Sequence, residues 1–428
     1  MIWYHNLVSV SETMNKKSKL KHRRKRRIPI RELNIDFDDI WEPIYLVLLA
    51  TFVGMRFLLS TMFTIYWPEY FYRTLLVIGI TLVMLHLMTV KDMQKKEIAA
   101  MAIVTFIFLM SHYVSGYDFL VDLLILILGA YRVDFEKILK TYMAVWVVLM
   151  AITIVGALTG AAENLVYHQG ENGERTRMAL GICYPTDFAA YVAYMMFVFV
   201  CLRDKYITYI EIGVMAVLAG VVYWITDART DFIVMMMLAI IMLFLKLFYK
   251  KVKQLFEKIK YFFFSIPLLA CVMNLILCYQ YKEENEVWDK LDSILTNRLL
   301  WGHYAFDEYR IKIFGQYIYE KGAGGTTENP YNYFFIDTSY LSILLKYGWV
   351  VLTLILIILL KNIYIAVEKE KIYMLVVITV LCLQSAMEHH LIQYWYNPFL
   401  LITFSYVLDL KRDKKKKERD EIWIENLN

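Results

Sequence analysis

The sequence predicts an all-α protein that crosses a membrane many times, and three observations predict it. Hydrophobic residues fill 59% of the 428 positions, against about 45–50% in a soluble domain. They are gathered into about twelve runs, most of them long enough to cross a bilayer. Lysine and arginine then alternate between the loops that join those runs, which fixes a direction for each crossing. Aromatic residues reach 16%, as the interfacial belts of a membrane protein require.

Taken in order, the apolar runs cover 42–63, 71–90, 97–113, 118–131, 138–160, 186–202, 206–226, 230–249, 259–280, 338–360, 371–387 and 392–410. The run at 118–131 is short enough to be re-entrant. With the amino terminus inside, the inner segments hold 34 of the 46 lysines and arginines. Omitting one helix would place the later basic loops outside, so the even number and two cytoplasmic termini are expected. The organisation read from this is a basic cytoplasmic tail (1–41), helices one to nine with an outer loop at 161–185 (42–280), and a large extracytoplasmic loop (281–337). Helices ten to twelve (338–410) and a second basic cytoplasmic tail (411–428) complete it.

Composition narrows the function classes. The basic blocks Lys16–Arg27 and Lys411–Lys417 each adjoin a hydrophobic span, so an anchor on anionic lipid is the better reading and no nucleic-acid partner is expected. Met1–Ser11 is too short for a signal peptide and its charge follows it, which leaves targeting to the first span. The five cysteines have no metal or disulfide spacing. No phosphate-cradling glycine loop lies on the inner side, which disfavours an ATP-driven pump, and the lack of an internal repeat departs from many transporters.

Chemistry is expected at the outer face. Six of the outer basic residues are arginines (Arg73, Arg175, Arg177, Arg229, Arg298 and Arg310), whereas lysine dominates inside. A guanidinium grips phosphate or carboxylate with two parallel donors, so outer arginines point to an anionic ligand. Arg175 and Arg177 sit just above a helix start, which favours an anion there. Arg229 lies in a tight turn where Asp227 and Asp231 are possible partners for it. Arg298 is followed by His303, a candidate base near neutral pH whose plainer reading is an interfacial histidine. The apolar spacing of Trp288–Phe306 predicts an amphipathic helix on the outer membrane surface, and Gly322–Gly325 predicts a hinge. Asp337 opens a helix whose face carries Tyr340, Leu344 and Tyr347; it is either a cap or a general base. Glu388, His389 and His390 lie in the last outer turn. Adjacent histidines point apart on a helix, so no metal is expected there.

The order of these elements resembles the O-antigen, capsular and exopolysaccharide polymerases, which share their layout with the O-antigen ligases. The resemblance spans about 42–410 and rests on an Arg175-x-Arg177-x-x-x-Gly181 turn, an Ala228-Arg229-Thr230 turn and one large loop. That loop carries Asn297-Arg298, Phe314-Gly315-Gln316, Asp337-Thr338-Ser339-Tyr340 and Tyr347-Gly348. The resemblance implies a GT-C-type fold in the bacterial cytoplasmic membrane and a metal-independent glycosyltransferase without cofactors. It implies a polyprenyl-diphosphate-linked oligosaccharide as substrate, with a flippase and a chain-length regulator as partners. On this pattern Arg177 and Arg298, with Arg229 and Arg175 beside them, would hold the diphosphate. Asp337, His303 and, more weakly, Glu388 are the candidates for taking the acceptor's proton. Trp301, Tyr304 and Tyr340 would either stack on sugar rings or simply sit in the membrane interface.

Two other classes compete. A ligase would pass a finished chain to a different acceptor. A flippase would need charges along a path through the bilayer, where the sequence offers only Arg56, Glu211 and Lys346.

Overall fold

The computed structural model describes residues 37–65, 68–90, 92–169, 175–327 and 331–407; the basic blocks Lys16–Arg27 and Lys411–Lys417 lie outside them. The chain divides into a short unit, Met1–Trp41, described only at the beginning of the first helix, and a main unit, Glu42–Asn428. Among the described residues nine helical segments are long and apolar enough to cross a membrane, Tyr249–Gln280 taken as one, and two shorter apolar helices accompany them. The chain is thus a mostly helical, multi-pass membrane protein.

The first five helices are α1 (Phe37–Leu59), α2 (Glu69–Thr89), α3 (Lys95–Ser115), α4 (Phe119–Gly129) and α5 (Phe135–Thr159). Sequence signals set their ends. A reciprocal cap between Gln94 and Glu97 opens α3, and the Asp134 side chain accepts the Glu136 N–H to start α5. The eleven-residue α4 is buried along most of its length. It is short because it is packed within protein and need not span lipid by itself.

A hairpin of β1 (Val166–Gln169) and β2 (Arg175–Met178) fills the loop after α5, where no strand was expected. Helices α6 (Pro185–Arg203), α7 (Tyr209–Thr226), α8 (Arg229–Leu247), α9 (Tyr249–Ile259) and α10 (Ile266–Gln280) follow. The lysine-rich α9 is separated from α10 by a 3-10 turn at Lys260–Ser265. Pro267 sits in the first turn of α10, where its missing N–H costs nothing.

The large loop folds back on the helices. Its expected single amphipathic helix is two, α11 (Glu286–Ile294) and α12 (Arg298–Glu308). Thr296 and Asn297 adopt positive φ between them, and the Asp292 carboxylate accepts the Leu299 N–H at 2.8 Å to start the second. The apolar stripe is where the sequence put it, but Trp288, Leu291, Leu295 and Leu299 pack into a protein core with Cys278, Ile318 and Ile336 instead of onto lipid. The Gly322–Gly325 segment is also docked. Gly325 donates its N–H to the Cys183 carbonyl at 2.9 Å, and Ala323 accepts the Tyr167 hydroxyl at 3.1 Å.

The run at 338–360 is broken into α13 (Ser339–Ser342), a π-helical turn at Ile343–Tyr347, and α14 (Trp349–Glu368). The break has a backbone cause. Gly315 and Gly348 both adopt positive φ, and a Cβ on either would collide with the backbone of the other's segment. Gln316 donates its N–H to the Lys346 carbonyl at 3.0 Å. The Phe-Gly-Gln and Tyr-Gly motifs are therefore two sides of one close contact.

After α15 (Ile372–Gln384) the last expected span, 392–410, forms turns and a 3-10 helix at Phe399–Thr403. Asn397-Pro398 interrupts any continuous helix. The segment is apolar because it is buried among helices, a pattern that hydropathy alone cannot tell from lipid exposure. It still travels from one end of the bundle to the other. Glu388 meets the large loop, while Tyr406 donates its N–H to Val133, at the far end of α5 from the hairpin.

Candidate functional site

The loops at 161–185 and 281–337 meet at the Thr226–Asp231 turn between α7 and α8, and the arginines converge there. Strand periodicity puts Arg175 and Arg177 on one face of β2. Arg175 pairs with Asp227. Burial, and then the charges of Arg229 and Arg177, pull its guanidinium below its ordinary value. Arg177 is buried, donates through Nε to the Thr226 carbonyl at 2.9 Å, and lies 5.5 Å from the Tyr184 ring centre. Its terminal nitrogens have no hydrogen-bond partner among the described residues. Arg229 is exposed at the same turn.

Arg298 reaches the turn from the first residue of α12. Nη1 donates to Thr230 Oγ1 at 3.1 Å and Thr296 Oγ1 at 2.6 Å, and Nη2 to Glu388 Oε1 at 2.8 Å. Both partners of this ion pair are buried. Burial and the neighbouring Asp337 charge push Glu388 up to about 7 against the pull of Arg298, and Arg177 is near enough to lower it as well. The turn that carries Glu388 is braced by Ser339, whose hydroxyl donates to the Glu388 carbonyl and accepts the Leu391 N–H at 3.2 Å.

Asp337 stands beside the pair. It does not cap α13, which starts after Thr338 with no side-chain cap; the capping alternative is removed. Its carboxylate has no hydrogen-bond or ion-pair partner among the described residues. Burial raises it above the ordinary carboxylate range, with Arg298 opposing and Glu320 adding to the rise. Lys346, which also acts on it, is buried in a pair with Glu320.

Several polar atoms in this region are buried without a partner: Arg298 Nε, Asp231 Oδ2, Gln384 Oε1, Thr338 Oγ1, His389 Nδ1 and His390 Nε2. Folded proteins seldom leave such groups unsatisfied, so their grouping here makes this region the candidate site. An apolar cavity of about 340 Å³ adjoins it, running along Leu269, Met273 and Leu277 of α10, past Leu383 and Met387, to Arg298.

Other expected residues are placed elsewhere. His303 lies 3.5 Å from Asp307 and against the Tyr281 ring, on a different side of α12 from the Arg298 contacts. Tyr340 is fully buried, with its hydroxyl on the Cys382 carbonyl at 2.8 Å, so it cannot stack on a sugar. Tyr304 is exposed, and Trp301 packs against Tyr304 and Tyr333. Asp231 does not pair with Arg229; it accepts from Gln384 Nε2 at 3.1 Å. His389 and His390 do not point apart, because their turn is not helical: the ring centres are 4.1 Å from each other.

Gln384 and Tyr333 were not singled out in the sequence, and Thr230 and Asp187, though within the arginine-bearing turns, were given no role. Gln384 and Asp187 carried a usable signal, being polar residues at the ends of apolar runs. Tyr333 looked like any loop aromatic. The charges noted within the apolar runs are paired: Arg56 with Asp122, Glu211 with Arg203 and Lys346 with Glu320. No protein-family profile, curated protein or solved structure matches this chain.

Proposed function

We propose that the protein joins polyprenyl-diphosphate-linked oligosaccharide repeat units into a longer chain at the outer leaflet of a bacterial cytoplasmic membrane. One observation carries this reading: the apolar cavity ends on a buried arginine that keeps an unpartnered donor. A substrate with a hydrocarbon tail and an anionic head suits that arrangement, the tail lying along α10 and the diphosphate meeting Arg298 and the open nitrogens of Arg177.

The reaction then assigns roles. An acceptor hydroxyl oxygen attacks the anomeric carbon of the donor chain as the bond from that carbon to the diphosphate oxygen breaks. The bonding pair leaves with the diphosphate, where two guanidinium groups stabilise the growing negative charge. The hydroxyl proton passes to Asp337, the unpaired carboxylate of the cluster. Glu388 holds Arg298 in place before the diphosphate arrives. Tyr333 and Trp301 form an aromatic wall for sugar rings.

The test removes the protein from its host and examines the lipid-linked glycans. Single repeat units should accumulate, with long chains absent, and Arg177→Ala should reproduce this while still inserting in the membrane. Long chains that remain on their lipid would identify a ligase instead. Units trapped on the cytoplasmic leaflet would identify a flippase.

A further inference from the structure

We propose that Asp187, His389 and His390 form a binding site for a divalent transition-metal ion of the zinc class, which clamps the turn after α15 onto the first turn of α6. One donor atom from each residue lies within 4.8 Å of the other two. Small side-chain movements close that spacing around one ion, and two imidazoles with a carboxylate are a donor set that zinc accepts.

The histidines are arranged as ligands are. His390 is 1% exposed. Its Nδ1 lies 2.8 Å from Gln393 Oε1, an acceptor that holds the proton on Nδ1 and leaves the Nε2 lone pair free. This outer hydrogen bond is the usual device for orienting a metal-bound imidazole. Nε2 itself is buried without a hydrogen-bond partner, and the Asp187 carboxylate is 4.0 Å away, too far for a direct bond. His389 adds a second buried nitrogen, Nδ1, that also has no partner, while its ring is held edge-on by Phe335 at 5.0 Å. A cation between the three residues would satisfy them together.

The position gives the ion a task. His389 and His390 directly follow Glu388, whose carboxylate holds Arg298. A metal bridging this turn to α6 would fix Glu388 relative to the Arg177 loop. The site rests on its own residues and not on the transfer reaction, so either proposal can fail alone.

The test uses the full chain, purified in detergent with a tag free of histidine, stripped with chelator and dialysed against zinc(II) or cobalt(II). Metal analysis should find one ion per chain, and the cobalt form should show the intense visible bands of low-coordinate cobalt. His390→Ala should lose the ion, as should His389→Gln, which keeps the side-chain bulk if the first variant folds poorly. His168→Ala, an exposed position, should retain it. Substoichiometric metal in the native chain, or unchanged binding in both site variants, would overturn the proposal. Metal binding without chain growth would leave this site standing and remove the polymerase reading.

Discussion

Among the described residues two arginines pair with a buried carboxylate, Arg56 with Asp122 and Arg298 with Glu388, and the two pairs are built on opposite principles. Asp122, in α4, accepts from Arg56 Nη2 at 2.7 Å, Tyr72 at 2.8 Å and Tyr394 at 2.9 Å. Its carboxylate is satisfied from three elements, and neither it nor Arg56 has a buried polar atom left without a partner. Glu388 holds Arg298 just as closely, yet unpartnered atoms surround that pair and an apolar cavity runs up to it. A closed network of this kind specifies packing. An incomplete one is paid for only where something else binds. The first pair has the build of a structural element and the second lies in the candidate site.

The largest expected effect tests the structural half. Asp122→Ala leaves Arg56 with no carboxylate and should cost about 3–5 kcal/mol of stability, read as a lowered unfolding temperature in detergent. Replacing both partners, Arg56→Met with Asp122→Leu, should recover most of that loss. If the single substitution proved neutral, the contrast would break.

The same double exchange at the site should behave differently. Arg298→Met with Glu388→Leu should restore stability relative to Arg298→Met alone, yet chain growth should stay about 10²–10³-fold down, the usual loss when a transition-state charge donor is removed. Recovery of both properties would make the second pair structural too.

Asp337 sharpens the comparison through pH. A base must be unprotonated to accept a proton, and burial raises this carboxylate above its ordinary value. Its protonated, inactive form therefore persists to higher pH than for an exposed aspartate, and the rate should fall on the acid side closer to neutrality than about pH 4. Asp337→Asn should lower the rate about 10²–10⁴-fold and abolish that acid limb, with little change in unfolding temperature. An unchanged profile in the variant would transfer the base role elsewhere.

The smallest effect is at Tyr340. Tyr340→Phe should cost about 0.5–1.5 kcal/mol for one buried hydrogen bond and leave chain growth unchanged, since the hydroxyl serves Cys382.

Sequence reading succeeded where one physical cause dominated. Lipid exposure demands long apolar helices, and α1, α2, α3 and α5 lie close to their predicted runs. Arginine chemistry brought Arg177 and Arg298 to notice, and the structure gathers both at one turn. It failed where two causes give the same pattern. Residues 392–410 are apolar through burial in protein, and the stripe of Trp288–Leu299 faces a core that looks like a lipid interface in one dimension. His389 and His390 converge only because their turn is irregular, and spacing rules presuppose a helix. Gln384 and Asp231 act through a partner distant in sequence, which no local pattern reveals.

The final non-helical passage from Glu388 to Tyr406 bears on how the protein is made. Its carbonyls are satisfied from other segments: Tyr394 by the Tyr142 hydroxyl, Trp395 by Trp146 Nε1, Phe399 by Asn362 Nδ2 and Thr403 by Lys361 Nζ. Bare turns of this sort cannot dissolve in hydrocarbon. The stretch therefore has nowhere to reside until α5 and α14, which supply those donors, are both in place, and biogenesis must thread it last, into a scaffold whose waiting donors receive it.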